Sequence, residues 1–187
     1  VPVNFRLTSP EIEHILKDSS PSLLIFQAQF SQTLAQIESS SMPTLRWGFE
    51  GPGSICEFLN AELAKPHEDL KTWATPFDGA HEDPSMILYT SGTTGVPKGA
   101  LISNKMLHWN SVNTGLRLNL NQFDVSLSFA PFFHTGGWNV LVTPFLHRGA
   151  RTVLLKKFDA DRVLELCEKE GVTVLFGGQA RSHVAKV

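Results

Sequence analysis

Two kinds of apolar pattern alternate along the chain. In one kind, apolar residues recur every three or four positions, which predicts a helix with one buried face. In the other, four to six residues are apolar or alternate with polar ones, which predicts a strand. The predicted helices cover residues 8–19, 33–37, 54–66, 104–116, 136–146 and 159–170, and the predicted strands cover residues 22–26, 44–49, 86–89, 100–102, 124–129, 151–155 and 172–176.

The regular alternation of strands and helices predicts an α/β fold. Strands that are apolar along their whole length are typical of a mostly parallel sheet covered by helices. In such sheets, ligands lie at the carboxyl ends of the strands. A Gly-rich segment follows the predicted strand Met86–Tyr89 directly, so this segment lies where a ligand loop is expected.

Local signals predict the ends of several helices. Thr8 and Glu11 have the spacing of a capping box, and Asn104 is placed to cap the helix that follows it. Gly171 is predicted to end the helix Asp159–Glu170. The apolar segment Gly136–Leu146 predicts a single, wholly buried helix.

Composition and charge narrow the class of protein. Of the 187 residues, 42% are hydrophobic and 18% are charged, which is typical of one globular domain. The net charge of −2 provides no basic field that would attract nucleic acid or anionic lipid. The longest apolar stretch, Trp138–Leu146, is much shorter than the roughly 20 residues that span a bilayer, so no transmembrane segment is predicted.

The cysteines and most of the histidines predict no metal site. Cys56 and Cys167 lie among apolar residues at helical spacing and are predicted to be buried thiols, which fits a reducing, cytoplasmic setting. Six histidines lack the spacing of metal ligands and are predicted to be surface or structural residues: His14, His67, His81, His108, His147 and His183.

The segment Tyr89–Gly99, YTSGTTGVPKG, concentrates hydroxyl side chains, glycines and one lysine. Backbone N–H groups of a Gly-rich turn can converge on phosphate oxygens, because glycine has no side chain to block the approach. Hydroxyl groups of Ser91, Thr93 and Thr94 add donors, and Lys98 adds a mobile positive charge suited to the outer phosphates.

Spacing excludes two other phosphate loops for this segment. A Walker motif requires Gly-Lys-Ser/Thr, whereas Lys98 stands between Pro97 and Gly99, and the glycines are too widely spread for a dinucleotide-binding motif. Composition alone leaves two interpretations open, a phosphate site and a Gly-rich turn.

A second candidate is PFFHTGGWN, Pro131–Asn139. By residue type alone, His134 and Trp138 are predicted to be core side chains, because isolated histidines and tryptophans in apolar segments are usually structural.

Four segments carry a family resemblance: YTSGTTGVPKG, VPVNFRLTSPEIEHIL, PFFHTGGWN and KKFDADRVLELCEKEGVTVLFG. The chain resembles the AMP-forming adenylating enzymes, the superfamily of acyl-CoA synthetases, luciferases and peptide-synthetase adenylation domains. It is most similar to bacterial fatty-acyl-CoA synthetases.

The resemblance implies a ligase that joins a carboxylic acid to AMP from ATP, with Mg²⁺, and then transfers the acyl group to coenzyme A. Lys98 and His134 would be the catalytic residues. Glycines 136 and 137 would let the substrate approach the backbone, and Trp138 falls where long-chain synthetases place an aromatic gate, so the acyl group would contact His134, Gly136, Gly137 and Trp138. The ATP phosphates would be lined by Thr90, Ser91, Gly92, Thr93, Thr94, Gly95 and Lys98.

The resemblance also implies that residues 1–187 are part of the amino-terminal domain of such a ligase. The family segments that hold magnesium and ribose, and the carboxy-terminal domain with its catalytic lysine, are absent from the sequence, so we expect the isolated chain to be inactive. Two alternatives stay open. One is a non-catalytic fragment that binds a nucleotide or a partner, with exposed strand edges that favour a homo-oligomer; the other is an aryl-CoA ligase, which shares the same loop.

Overall fold

The structure is a computed structural model that describes residues 1–48, 79–90, 96–179 and 181–186, with the backbone alone from residue 178 onward. The predicted helix over residues 54–66, with Cys56, lies outside the described residues, as does Ser91–Gly95. The chain divides into two compact units. The first contains most of residues 1–79 together with Tyr89–Ala100, and the second contains Ala80–Leu88 and Leu101–Val187.

The first unit is built around helix α1, Ser9–Ser19. Strands β1 (Leu23–Phe26) and β2 (Leu45–Gly48) form a parallel pair. Between them lies the one-turn helix α2, Ser31–Leu34, with 3₁₀ turns before and after it at Ala28–Phe30 and Ser39–Ser41. The hydrophobic core of this unit joins α1 to the α2 region through Ile12, Leu16, Leu34 and Ile37.

The capping box at the start of α1 is confirmed. The Glu11 carboxylate accepts hydrogen bonds from the backbone N–H of Thr8 at 2.8 Å and from its hydroxyl at 2.7 Å. Both bonds lower the pKa of Glu11, and the backbone bond has the larger effect. The helix ends at Ser20, whose left-handed backbone (φ 42°) lets its N–H close the last turn on the Leu16 carbonyl.

The described residues at either end of the Gly-rich segment belong to two strands of a hairpin. Strands β3 (Pro84–Thr90) and β4 (Lys98–Ser103) pair with each other. Residues 91–97 are too few for the crossover that parallel strands require, so the pair is antiparallel. At the base of the hairpin, the N–H of Asn104 donates to the Asp83 carbonyl at 3.0 Å. The expectation that this segment leaves a strand of the parallel sheet is therefore wrong for the described residues.

The second unit holds a four-stranded sheet in the order β6, β5, β7, β8. The strands β5 (Val125–Ser128), β6 (Arg151–Leu154) and β7 (Val174–Gln179) are parallel. Strand β8, Arg181–Lys186, runs antiparallel to β7. The mostly parallel α/β fold is thus confirmed, whereas β8 lies in a polar tail for which the sequence pattern predicted no strand.

Two apolar clusters form the core of this unit. Leu127 of β5 packs with Val163 and Leu166 of helix α6, Ala160–Glu170. Phe145, which belongs to helix α5 (Val142–His147), packs with Leu120, Leu141, Ala150 and Val174. Phe145, Leu127 and Val174 are completely buried. The apolar runs that predicted these strands and helices therefore supply the residues of the core.

The predicted ends of α6 are confirmed. The Asp159 side chain accepts a hydrogen bond from the backbone N–H of Arg162 at 3.0 Å, as an N-cap does. Gly171 ends the helix with a left-handed backbone (φ 63°), which glycine adopts without steric cost. Cys167, near the end of α6, is a free thiol and is partly rather than fully buried.

Two predicted helix boundaries are wrong. Helix α3, Asn104–Arg117, is capped by Ser103, whose side chain accepts from the N–H of Met106 at 3.4 Å. The single helix predicted over Gly136–Leu146 is two helices, α4 (Thr135–Trp138) and α5. The ring of Pro144 would clash with the carbonyl four residues earlier in a continuous helix, so the helix restarts with proline in its first turn. Leu146 is also 68% exposed rather than buried.

Across the described ranges, no helix combines the length and apolar character needed to cross a membrane.

Close backbone packing fixes the position of α4. A Cβ atom on Gly137 would collide with the carbonyl oxygen of Pro131 and would lie 2.7 Å from that of Ala130. The Gly137 carbonyl also accepts a hydrogen bond from the buried Ser128 hydroxyl at 3.2 Å. By contrast, a Cβ on Gly136 would make only ordinary contacts, at 3.5 Å to His134 Nδ1 and 3.7 Å to Phe176.

We therefore predict that Gly137→Ala and Gly136→Ala differ sharply. The first substitution forces backbone groups apart and should lower the free energy of unfolding by about 1–3 kcal/mol. The second should change it by less than about 1 kcal/mol, since alanine is also the better helix former. Urea unfolding of the two variants makes the comparison, and equal effects would contradict the packing described for Gly137.

Candidate active site

Two of the predicted phosphate-binding residues, Thr90 and Lys98, are described by the structure. Thr90 is the last residue of β3, Lys98 is the first of β4, and both side chains are exposed. No acidic side chain of the described residues forms an ion pair with the Lys98 ammonium group. The other predicted phosphate-binding residues are outside the described ranges: Ser91, Gly92, Thr93, Thr94 and Gly95.

Helix α1 contacts both sides of this segment within the first unit. His14 Nε2 donates to the carbonyl oxygen of Pro97 at 3.1 Å. The phenol of Tyr89 donates to Asp18 Oδ2 at 2.5 Å. The two contacts join residues 83 and 71 positions apart in the sequence. Neither His14 nor Asp18 was predicted to belong to a site.

Burial and the neighbouring carboxylate raise the pKa of Tyr89 to about 12, with burial the larger cause. The phenol therefore stays protonated across the physiological pH range and remains a hydrogen-bond donor. A hydrogen bond from a neutral phenol to an ionised carboxylate is among the stronger ones in proteins.

His134 lies in the second unit, at the start of α4. Its Nδ1 accepts a hydrogen bond from the backbone N–H of Gly136 at 3.2 Å and so caps the helix. Because Nδ1 accepts, the proton of the neutral ring is on Nε2. The side chain is exposed, which shows that the prediction of a core histidine from residue type is wrong.

Trp138 has the opposite surroundings. Only 3% of it is exposed, so the residue-type prediction of a buried tryptophan is confirmed. Its indole Nε1–H is buried and forms no hydrogen bond with the described residues. Gly137 is also buried, and the space above its α-carbon is filled by the carbonyl groups of Ala130 and Pro131. Of the four predicted acyl-site residues, His134 and Gly136 are therefore the two with accessible surface.

Three other histidines of the second unit lie close together. The ring centroids of His108 and His81 are 6.0 Å apart, and those of His108 and His147 are 5.3 Å apart. His108 is on α3 and His147 ends α5, so no sequence spacing relates them. Among the described residues, no group of three or more His, Cys, Asp or Glu side chains could hold a metal ion.

The magnesium ion implied by the resemblance finds no ligand set in the described part of the chain. Magnesium is bound by oxygen ligands, chiefly carboxylates and phosphates. Thr90 and Lys98, the described members of the predicted phosphate site, contribute a hydroxyl group and an ammonium group but no carboxylate. We therefore assign no residue of this chain to the ion.

The chain matches the family model described as AMP-binding enzyme over residues 1–178. It is 35% identical to an indoleacetate–CoA ligase of Aromatoleum aromaticum, over all of this chain and 36% of that protein. It is 27% identical to a long-chain-fatty-acid–CoA ligase of Mycobacterium tuberculosis, over 93% of this chain and 33% of that protein. The chain thus spans about a third of the length of these curated relatives.

A solved structure gives the same result for the fold. The ATP-bound crystal structure of MatB from Rhodopseudomonas palustris is similar with a TM-score of 0.74 and 28% identity. The similarity covers 94% of this chain and 33% of that one. The mixed α/β architecture and the match over nearly the whole chain agree with the resemblance carried by its motifs, and the chain belongs to the AMP-binding enzyme family.

Proposed function

We propose that the chain supplies the ATP-phosphate loop and part of the acyl site of an ATP-dependent acid–thiol ligase. In the first step, a carboxylate oxygen of the acid attacks the α-phosphorus of ATP, the bond to the bridging oxygen breaks, and pyrophosphate leaves. In the second step, the thiol of coenzyme A loses its proton to solvent and its sulfur attacks the acyl carbon of the acyl-adenylate. AMP then leaves with the electrons of the acyl–oxygen bond.

The observation that carries this proposal is the segment Tyr89–Gly99 in a chain of the AMP-binding enzyme family. The exposed Thr90 at the end of β3 and the exposed Lys98 at the start of β4, which forms no ion pair with the described acidic residues, suit a polyanion because both supply hydrogen-bond donors. The ATP bound by MatB and the coenzyme A ligases among the relatives support the same two co-substrates.

Lys98 would act on the leaving group. Negative charge accumulates on pyrophosphate as its bond to the α-phosphorus breaks, and an ammonium group placed beside it stabilises the transition state more than the ground state. The absence of an ion pair with the described acidic residues leaves the Lys98 charge available for this role.

His134 would orient the carboxylate. Its Nδ1 is occupied by the Gly136 N–H, which fixes the ring and leaves Nε2–H as an exposed donor. A neutral imidazole donor can hold a carboxylate without needing to be charged. Gly136, whose α-carbon has room for a side chain, would offer the backbone surface that the acyl group approaches.

Two classes of acid are candidates. A fatty acid agrees with the motif resemblance to fatty-acyl-CoA synthetases and with the Mycobacterium tuberculosis relative. An aryl acid agrees with the Aromatoleum aromaticum relative, whose sequence identity is higher and extends over the whole chain. ATP–pyrophosphate exchange by the whole protein that carries this chain, measured with fatty and aryl acids, would distinguish them. Nucleotide binding without exchange for any acid would contradict the ligase and favour a non-catalytic binding module.

Lys98→Ala should reduce ATP–pyrophosphate exchange by about a hundredfold or more, since the charge that stabilises departing pyrophosphate is lost. The dissociation constant of the acid should stay within about twofold of the wild-type value. The reason is that the Lys98 charge acts on the departing pyrophosphate and not on the acid. Exchange kinetics and calorimetric titration of the acid provide the two measurements.

The matched control for this variant is Lys105→Ala. Lys105 is an exposed lysine whose ammonium group pairs with Glu82 at 2.6 Å, so its charge is already neutralised. Exchange should be unchanged in this control. Equal loss in both variants, or unchanged exchange in Lys98→Ala, would remove Lys98 from the proposed mechanism.

Trp138→Phe tests the proposed contact with the acyl group. Phenylalanine keeps an aromatic ring in the buried position and removes the indole N–H that lacks a described partner, so the fold should be retained. If Trp138 limits the acyl pocket, the ratio of kcat/KM for large and small acids should change by about tenfold. An unchanged ratio with an unchanged melting temperature would make Trp138 a core residue only.

A further inference from the structure

One face of α1 is directed toward the two sides of the Gly-rich segment. His14 and Asp18 are four positions apart, which places both on the same face of the helix. Ile12, Ile15 and Leu16 are buried on another face. The helix is therefore anchored in the core of the first unit while two polar side chains extend to Pro97 and Tyr89.

The contact of His14 constrains the backbone at Lys98. The Pro97 carbonyl and the Lys98 N–H belong to one planar peptide group. The pyrrolidine ring restricts the φ angle of Pro97. The hydrogen bond from His14 Nε2 holds the orientation of the peptide group between Pro97 and Lys98. It therefore restricts the direction in which the Lys98 side chain leaves the backbone. Because a carbonyl oxygen only accepts hydrogen bonds, the neutral His14 ring must carry its proton on Nε2.

The contact of Asp18 acts one residue before Thr90. The Tyr89 hydroxyl donates to the Asp18 carboxylate, and the tyrosine side chain is half-buried. This bond holds the end of β3, as the His14 bond holds the start of β4. Together the two bonds define where the strands enter and leave the segment that they flank.

These bonds are additional to those that stabilise the base of the hairpin. There the N–H of Asn104 donates to the Asp83 carbonyl, the N–H of Lys105 donates to the His81 carbonyl, and the Ser85 hydroxyl bonds to the Asn104 side chain. The hairpin base thus has its own hydrogen bonds. Among the described residues, the side-chain bonds from α1 to the hairpin are made at the end that carries Thr90 and Lys98.

We propose that His14 and Asp18 are positioning residues of the nucleotide site: they hold Pro97 and Tyr89 so that Lys98 and Thr90 are presented to the phosphates before ATP binds. This inference rests on the proposed function, since it names two further residues of the same site. Preorganisation of this kind increases affinity because the cost of ordering the binding groups is met in the folded protein.

The test compares His14→Ala, His14→Gln and Asp18→Ala in the whole protein that carries this chain. His14→Ala and Asp18→Ala should each raise the dissociation constant of ATP about five- to tenfold, the equivalent of one lost hydrogen bond. The KM of the acid should not change. Glutamine retains an N–H donor, so His14→Gln should recover most of the ATP affinity.

Glu13→Gln is the matched control. Glu13 is on the same helix, but it pairs with Lys17 at 2.9 Å and accepts from Ser41 at 2.8 Å. This variant should leave ATP affinity unchanged. If it weakens ATP binding as much as His14→Ala does, the helix acts only through general stability, and the proposal is wrong.

A second measurement does not require catalysis. Hydrogen exchange of the Val96 and Lys98 amides without nucleotide should be faster in His14→Ala than in Glu13→Gln. Unchanged exchange together with unchanged ATP affinity in His14→Ala and Asp18→Ala would overturn the positioning role. A different outcome is faster hydrogen exchange in His14→Ala together with no ATP–pyrophosphate exchange by the wild-type protein. It would contradict the proposed reaction, whereas the role of His14 in positioning Pro97 would stand.

Discussion

Parallel pairing of β5 on both of its edges is the constraint on which the second unit depends. This strand pairs with β6 on one side and β7 on the other. Helices cover both faces of a parallel sheet, so a central strand is buried on both of its faces. Leu127 meets the helix α6 residues Val163 and Leu166, and Ser126 makes a hydrogen bond to Thr152 across the strand pair at 2.8 Å. The chain turns where this buried strand ends, at its carboxyl end.

That turn leads to the acyl-site candidates. The chain leaves the carboxyl end of β5 and reaches α4 within a few residues, held by the bond from Ser128 to the Gly137 carbonyl and by the close packing of Gly137. Ligands of parallel α/β sheets lie at this end of the strands. His134 and Gly136 thus follow the strand end where this rule expects a ligand, although the sequence suggested the rule for the Gly-rich segment, whose flanking strands β3 and β4 form a separate pair.

The first unit depends on the contacts of helix α1. Its phosphate-loop candidate belongs to a hairpin, whose end needs support that a two-stranded sheet does not supply by itself. Helix α1 has an apolar face in the core and polar contacts to Tyr89 and Pro97. A single amphipathic helix therefore joins the core of this unit to the residues that flank Thr90 and Lys98.

The sequence by itself determined the features that depend on neighbouring residues. Periodicity predicted most helices and strands of the described ranges, the Thr8–Glu11 and Asp159–Gly171 signals predicted helix ends, and the Tyr89–Gly99 motif identified the family, because each depends on residue types within about a dozen positions. Some local rules were outweighed: Ser103 caps α3 in place of Asn104, and Pro144 divides a segment whose apolar pattern is continuous. Only the tertiary structure decided that His134 is exposed, that the polar tail pairs as β8, and that His14 and Asp18 contact Pro97 and Tyr89. Those outcomes depend on contacts between residues far apart in the chain, which no local pattern specifies.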